Sequence, residues 1–127
     1  MSDGDDVTRF ERGLEARRRV LGAAHVDRAM SGATEFDRDF QRMLTEFAWG
    51  TVWTGPALSD RQRSLNTLCL LAALNRMPEF EMHFRAAIGN GCTEDELRET
   101  LVQIAVYAGI PAGNQAFQIA RRVLAEG

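Results

Sequence analysis

The chain has 127 residues, 45% hydrophobic and 26% charged, and its 15 basic and 18 acidic residues leave a formal charge of −3. This length predicts one domain over residues 1–127, able to bury about two thirds of its unfolded surface but too short for two cores, and the composition argues against disorder. The charges are mixed along the chain, with no basic run beyond Arg17, Arg18 and Arg19, which argues against nucleic-acid binding, and no apolar run approaches the ~18 residues that span a bilayer.

The opening MSDGDD is polar and acidic, the reverse of a signal peptide, so a cytoplasmic location is expected. Residues 1–5 are expected to fray. From Asp6 to about Leu21 the apolar positions Val7, Phe10, Leu14 and Val20 recur at near-helical spacing and predict an amphipathic helix that stops at Gly22, with its arginines on a solvated face.

Ala23 to Gly32 is helical by propensity. His25 near its start has two readings, a ligand-facing residue or a surface or partly packed one. Thr34 to Trp53 predicts a longer helix whose stripe of Phe36, Phe40, Met43, Leu44, Phe47 and Ala48 is expected to be core. It runs into WGTVWTGPALSD, where Trp49 and Trp53 stand beside glycines and Pro56; the indoles either wall a pocket or subunit contact, or pack against the core.

Ser59 and Gln62 have the spacing of a capping box, so a helix is expected from Asp60 to Arg76. Its run from Leu68 to Leu74 is apolar all round, which predicts burial on several sides and therefore a homo-oligomer. Pro78 suits the first turn of the next helix, where Glu79, His83 and Ala87 share one face and Phe80, Phe84 and Ile88 another; Gly89, Asn90 and Gly91 end it. Thr93 and Glu96 form a second capping box for a helix from Glu94 to Ala108. Gly109, Pro111 and Gly113 predict a break before a last helix from Gln115 to Ala125. No segment alternates with period two, so the fold class is all-α, with about six or seven helices.

No P-loop, GxGxxG or HExxH is present, and the two histidines and the separated Cys69 and Cys92 offer no metal-ligand spacing, so neither metal nor cofactor is expected and both cysteines read as reduced thiols. What remains is Arg76, Glu79 and His83. A carboxylate one helical turn before a histidine can orient the imidazole and raise its pKa, but such pairs are also common on solvated helices.

The segments HVDRA, FQRMLTEFAWGTVWT, RSLNTLCLLAALNR and EMHFRAAIGNGCTEDELRETLVQIAVYAGIPAGNQAF decide between those readings. In this order they resemble the 4-carboxymuconolactone decarboxylase family, in the short form that serves protocatechuate catabolism, over roughly residues 7–126. The resemblance implies the all-helical fold of the alkylhydroperoxidase D superfamily, assembly as a hexamer, and cofactor-free conversion of 4-carboxymuconolactone to 3-oxoadipate enol-lactone. In the peroxidase branch of that superfamily a CxxC precedes the histidine. Here Arg76 and Glu79 stand at the matching positions, so a disulfide-based peroxidase has no redox centre.

The substrate so implied is a dianionic lactone whose conjugated carbonyl accepts the electrons left by carbon dioxide. Such a reaction needs cations to hold the dianion, a donor for the developing oxyanion and an acid for the ring carbon. On this basis His83, held by Glu79, is the candidate acid, and Arg76 the candidate for a carboxylate or the oxyanion. Arg63, Arg85, Trp53 and His25 are candidate substrate-binding residues, the two arginines having salt bridges as their alternative role. The chain departs from the family at Gly55 and Ala57, where the loop commonly reads WxRPGL, and at Gln118, where a histidine is usual. These departures leave open a different lactone or oxo acid as substrate.

Overall fold

A computed structural model describes residues 7–127; the expected fraying of residues 1–5 and the helix start at Asp6 lie outside the described residues. Among them every regular element is helical, as expected, in an order consistent with the alkylhydroperoxidase D-like fold. The chain divides into two compact units, one ending at Leu58 and the other running from Ser59 to Gly127.

The first unit begins with α1, Arg9–Leu21, and its start is chemically specified: the Thr8 hydroxyl accepts from the Glu11 N–H at 3.0 Å while the Thr8 N–H donates to the Glu11 carboxylate at 3.2 Å. The helix ends where Gly22 takes φ +93°, and α2, Ala23–Ser31, follows at once. The buried face of α1 is Gly13, Ala16, Arg17 and Val20 rather than the larger Val7, Phe10 and Leu14. Small residues are needed there because a second helical segment crosses at backbone distance: a Cβ on Gly13 would lie 2.0 Å from the Thr45 carbonyl oxygen, and one on Gly50 2.6 Å from that of Arg9.

That crossing segment is not the single helix expected from Thr34. A turn closed by Asp37, whose carboxylate accepts from the Thr34 N–H at 2.6 Å, precedes α3, Arg38–Leu44, which continues as a π-helix over Thr45–Val52. The wider π turn changes which side chains face α1, so Trp49 is buried with Ala16 and Val20 and stacks on Trp53 with ring centroids 5.0 Å apart. The expected core stripe is corrected accordingly: Phe36, Phe40, Met43 and Phe47 are exposed, and only Leu44 and Ala48 pack on this cluster.

The second unit comprises α4 (Asp60–Ala73), α5 (Met77–Gly89), α6 (Glu94–Ala108) and α7 (Ile110–Ala125). Its core is built on Leu68, Phe80, Phe84, Leu101 and Ala116. The apolar run of α4 is not buried all round within the chain: Leu68 and Ala72 are inside, whereas Leu70 and Leu74 are exposed. Ser59 makes half of its capping box, accepting from the Gln62 N–H at 3.1 Å, while the Gln62 amide turns to Asn66; Thr93 and Glu96 make the whole one.

Gly109, with φ +109°, is the real break between α6 and α7. Pro111 is accommodated in the first turn of α7, where its missing N–H has no helical partner to lose, and Gly113 lies inside the helix. Gly113 is a packing residue: a Cβ there would stand 2.5 Å from that of Ala105.

Candidate active site

The turn between α4 and α5 positions the candidate group. Asn75 adopts φ +59°, its N–H donates to the Ala72 carbonyl at 3.1 Å, and the Arg76 N–H reaches back to that of Leu71 at 2.8 Å. This is a Schellman closure, which satisfies the last carbonyls of α4 and reverses the chain in two residues. The Arg76 carbonyl then accepts from the Phe80 N–H at 2.9 Å, so one residue ends one helix and caps the next.

From that cap, Arg76, Glu79 and His83 follow along one face of α5. Arg76 and Glu79 are exposed and His83 is buried, beside the fully buried Phe80 and Phe84. Glu79 also lies in the first turn, where a carboxylate complements the positive end of the helix dipole. The three residues thus run from a solvated cation to an imidazole at the edge of the core. Such an arrangement can receive an anion at its mouth and exchange a proton at its inner end.

The remaining candidates divide. Arg85 belongs to α5 but is engaged: its Nε and Nη2 donate to the two Glu126 oxygens at 3.1 and 2.6 Å, and Nη2 also meets Glu81 at 2.8 Å. Arg122 closes the network through Glu81. These carboxylates hold the Arg85 guanidinium above its ordinary pKa, and Arg85 lowers theirs. Arg63 is half-buried in the first turn of α4, where its carbonyl accepts from the Thr67 hydroxyl at 2.8 Å. Trp53 and His25 belong to the first unit, Trp53 packed on its core and His25 half-buried on α2. Burial, followed by the charges of Arg28 and Arg17, pushes the His25 imidazole below its ordinary value.

Cys69 and Cys92 are free thiols, and burial raises the pKa of both, which disfavours the nucleophilic thiolate. Among the described residues no three potential ligands converge as a metal site, and no helix is long and apolar enough to cross a membrane. Gln118 is exposed on α7.

One residue that sequence reasoning placed in solvent is buried. Arg17 is only 7% exposed and donates from Nη1 to Gln41, Thr45 and Met30. Its position was legible in principle, because Gly13, Ala16, Arg17 and Val20 have the spacing of a helix's inward stripe. The neighbouring Arg18 and Arg19 masked it.

An all-helical chain thus sets an arginine, a carboxylate and a buried histidine along one helix as a candidate acid–base group. The profile of the carboxymuconolactone decarboxylase family matches residues 38–122, and the chain belongs to that family. It is 44% identical over 119 residues, covering 94% of this chain and 89% of the relative, to a 4-carboxymuconolactone decarboxylase of Acinetobacter baylyi. It is also 42% identical over 115 residues, covering 91% of this chain and 80% of the relative, to the nitrosuccinic acid decarboxylase npaB of Metarhizium robertsii. A shorter match, 44% identical over 46 residues, covers 36% of the chain and 96% of a 4-carboxymuconolactone decarboxylase from Pseudomonas putida.

Proposed function

We propose that this chain is a carboxy-lyase that decarboxylates 4-carboxymuconolactone to 3-oxoadipate enol-lactone without a cofactor, as a cytoplasmic homo-oligomer, a hexamer by its resemblance. The observation that carries this reading is the 44% identity to a relative of that name, sustained over nearly the whole chain. In the reaction the bond between the ring carbon and its carboxylate breaks, carbon dioxide leaves, and the electron pair passes through the conjugated double bond to the lactone oxygen. The resulting enolate then takes a proton at carbon.

His83 is the acid of that second step. Its position at the edge of the core limits competition from water, and Glu79 precedes it by one helical turn on the same face. Arg76, whose backbone the helix closure fixes, receives a substrate carboxylate or the developing oxyanion. Arg63, in the first turn of α4 in the same unit, is the second cation for the dianion. For Arg85, the two-point grip of Glu126 and the contact with Glu81 favour a structural role, since binding substrate would require giving up both.

A second reading is favoured by the 42% identity to a nitrosuccinic acid decarboxylase, and it accords with Gly55 and Gln118 departing from the pattern that the family resemblance implies. A nitro group beside the departing carboxylate also accepts the electron pair, as a nitronate, and again leaves a carbon to be protonated. Incubating the purified protein separately with each acid and following carbon dioxide release distinguishes the two. Release from the lactone no faster than its spontaneous rate overturns the first reading.

Exposed apolar surface supports the oligomer. Leu70, Leu74, Val106, Tyr107 and Ile110 of the second unit are each more than half exposed, as are Phe36, Phe40, Met43 and Phe47 of the first. Apolar exposure on this scale is a feature of surfaces covered in an assembly.

A further inference from the structure

Along α5, Arg76, His83 and Asn90 recur at the spacing of two helical turns. Asn90 therefore lies on the face that carries the candidate acid, roughly 10 Å beyond it along the axis. Arg63 comes from the other helix of the hairpin, half-buried in the first turn of α4. Helix ends fray, and local capping of this one is incomplete. Ser59 accepts from the Gln62 N–H at 3.1 Å, but the Gln62 amide that would complete the box donates to Asn66 at 2.9 Å.

Contacts from outside α4 hold that turn on both sides of Arg63. Ser64, fully buried, accepts from Asn90 Nδ2 at 3.1 Å. The Arg61 carbonyl accepts from the Cys92 thiol at 3.6 Å, and the Arg61 guanidinium pairs with Glu96. Asn90 is itself fixed as the C-cap of α5, its N–H shared between the Ala86 and Ala87 carbonyls at 2.9 and 3.2 Å. The Asn90–Ser64 bond thus joins the helix of the acid to the helix of the second cation, one residue from that cation. Two apolar residues of the same shape would stabilise the packing nearly as well. What the polar pair adds is a fixed relation between the two helices, since a buried hydroxyl accepts few alternatives to its partner.

We propose that Asn90 is a positioning residue: through Ser64 it sets the first turn of α4 against α5 and so places Arg63 to take a carboxylate of the substrate whose reacting carbon lies at His83. The inference rests on the decarboxylase reading, which gives Arg63 that task. A guanidinium that grips a carboxylate away from the reacting carbon binds substrate and transition state alike, so misplacing it raises KM and spares kcat. Loss of the acid at His83 does the reverse.

Steady-state carbon dioxide release by the full-length protein tests this, with whichever of the lactone and the nitro acid wild type turns over. Asn90→Ala and Ser64→Ala are each expected to raise KM about tenfold, the loss of one charge-assisted contact, with kcat within about twofold of wild type. In an Arg63→Ala background neither change should raise KM further, because the cation they place is gone. Gly113→Ala, which disturbs helix packing elsewhere in the same unit, should leave KM unchanged. If one of the two variants loses its helical circular dichroism, the other carries the test. An unchanged KM in a folded Asn90→Ala or Ser64→Ala, a further rise on the Arg63→Ala background, or an equal rise in Gly113→Ala would overturn the proposal and leave the decarboxylase reading standing. Turnover of neither acid by wild type would overturn that reading, and the proposal with it.

Discussion

His83 and Arg85 lie on the same helix, yet their surroundings assign them different work. His83 is buried on the face that Arg76 opens, so His83→Ala is expected to lower turnover by about 10²- to 10⁴-fold, the usual contribution of a general acid, with helical content unchanged. Carbon dioxide release and circular dichroism measured on the same sample check this, and a near-normal rate rejects His83 as the acid. Arg85→Ala should instead leave KM close to wild type, because the guanidinium is held by Glu126 and Glu81; a large rise in KM would restore it to substrate binding. His25 sets a pH dependence of stability. Its folded pKa is lowered from 6.5, so between that lowered value and 6.5 the unfolded chain holds a proton that the folded chain does not. Stability should therefore rise with pH through that window, level off above it and fall on acidification. Urea midpoints across the window should show this slope in wild type and lose it in His25→Gln.

At the scale of elements, the chain relies on close helix approach and on closed helix ends. Gly113 on α7 meets Ala105 on α6 at a distance that admits no further methyl group. Gly113→Ala gains helix propensity but must push the two helices apart, at a cost of about 1–3 kcal/mol. Thermal unfolding should show a net loss of stability, and an unchanged or raised midpoint would mean that α6 and α7 separate easily. Thr93→Ala removes one side of a complete capping box and should cost about 1 kcal/mol. Replacing Ser59, whose hydroxyl accepts from the Gln62 N–H at 3.1 Å, by Ala should cost a similar amount. These elements were largely legible from the sequence, because caps, glycines and apolar spacing are local signals. The misreadings have physical causes. Pro111 and Gly113 looked like breakers until their places in the first turn of α7 and against Ala105 were known, and a π turn cannot be told from an α turn by spacing alone.

For the whole molecule, the exposed apolar surface is the outstanding feature, and it predicts the consequence of disturbing it. Leu74→Glu and Val106→Glu place charges where the oligomer reading requires a dry contact. Light scattering should then report a smaller species than wild type, with helical content retained. An unchanged mass would move the interface elsewhere, with the stripe of Phe36, Phe40, Met43 and Phe47 as the next candidate. That stripe also shows why core and interface could not be separated in the sequence. An apolar face at helical spacing reports only that it is to be covered, not whether the chain or a second copy covers it.

The sequence by itself determined the all-helical class, the order of the helices, most of their ends and the candidacy of Arg76, Glu79 and His83, because periodicity, capping chemistry and motif order are carried by neighbouring residues. Only the tertiary structure decided which faces are buried. It placed Arg17 inside and the phenylalanine stripe outside, bound Arg85 to Glu126, and fixed Arg76 by the closure at Asn75. Burial and pairing depend on what the rest of the chain brings to a residue, and that contribution has no local signature.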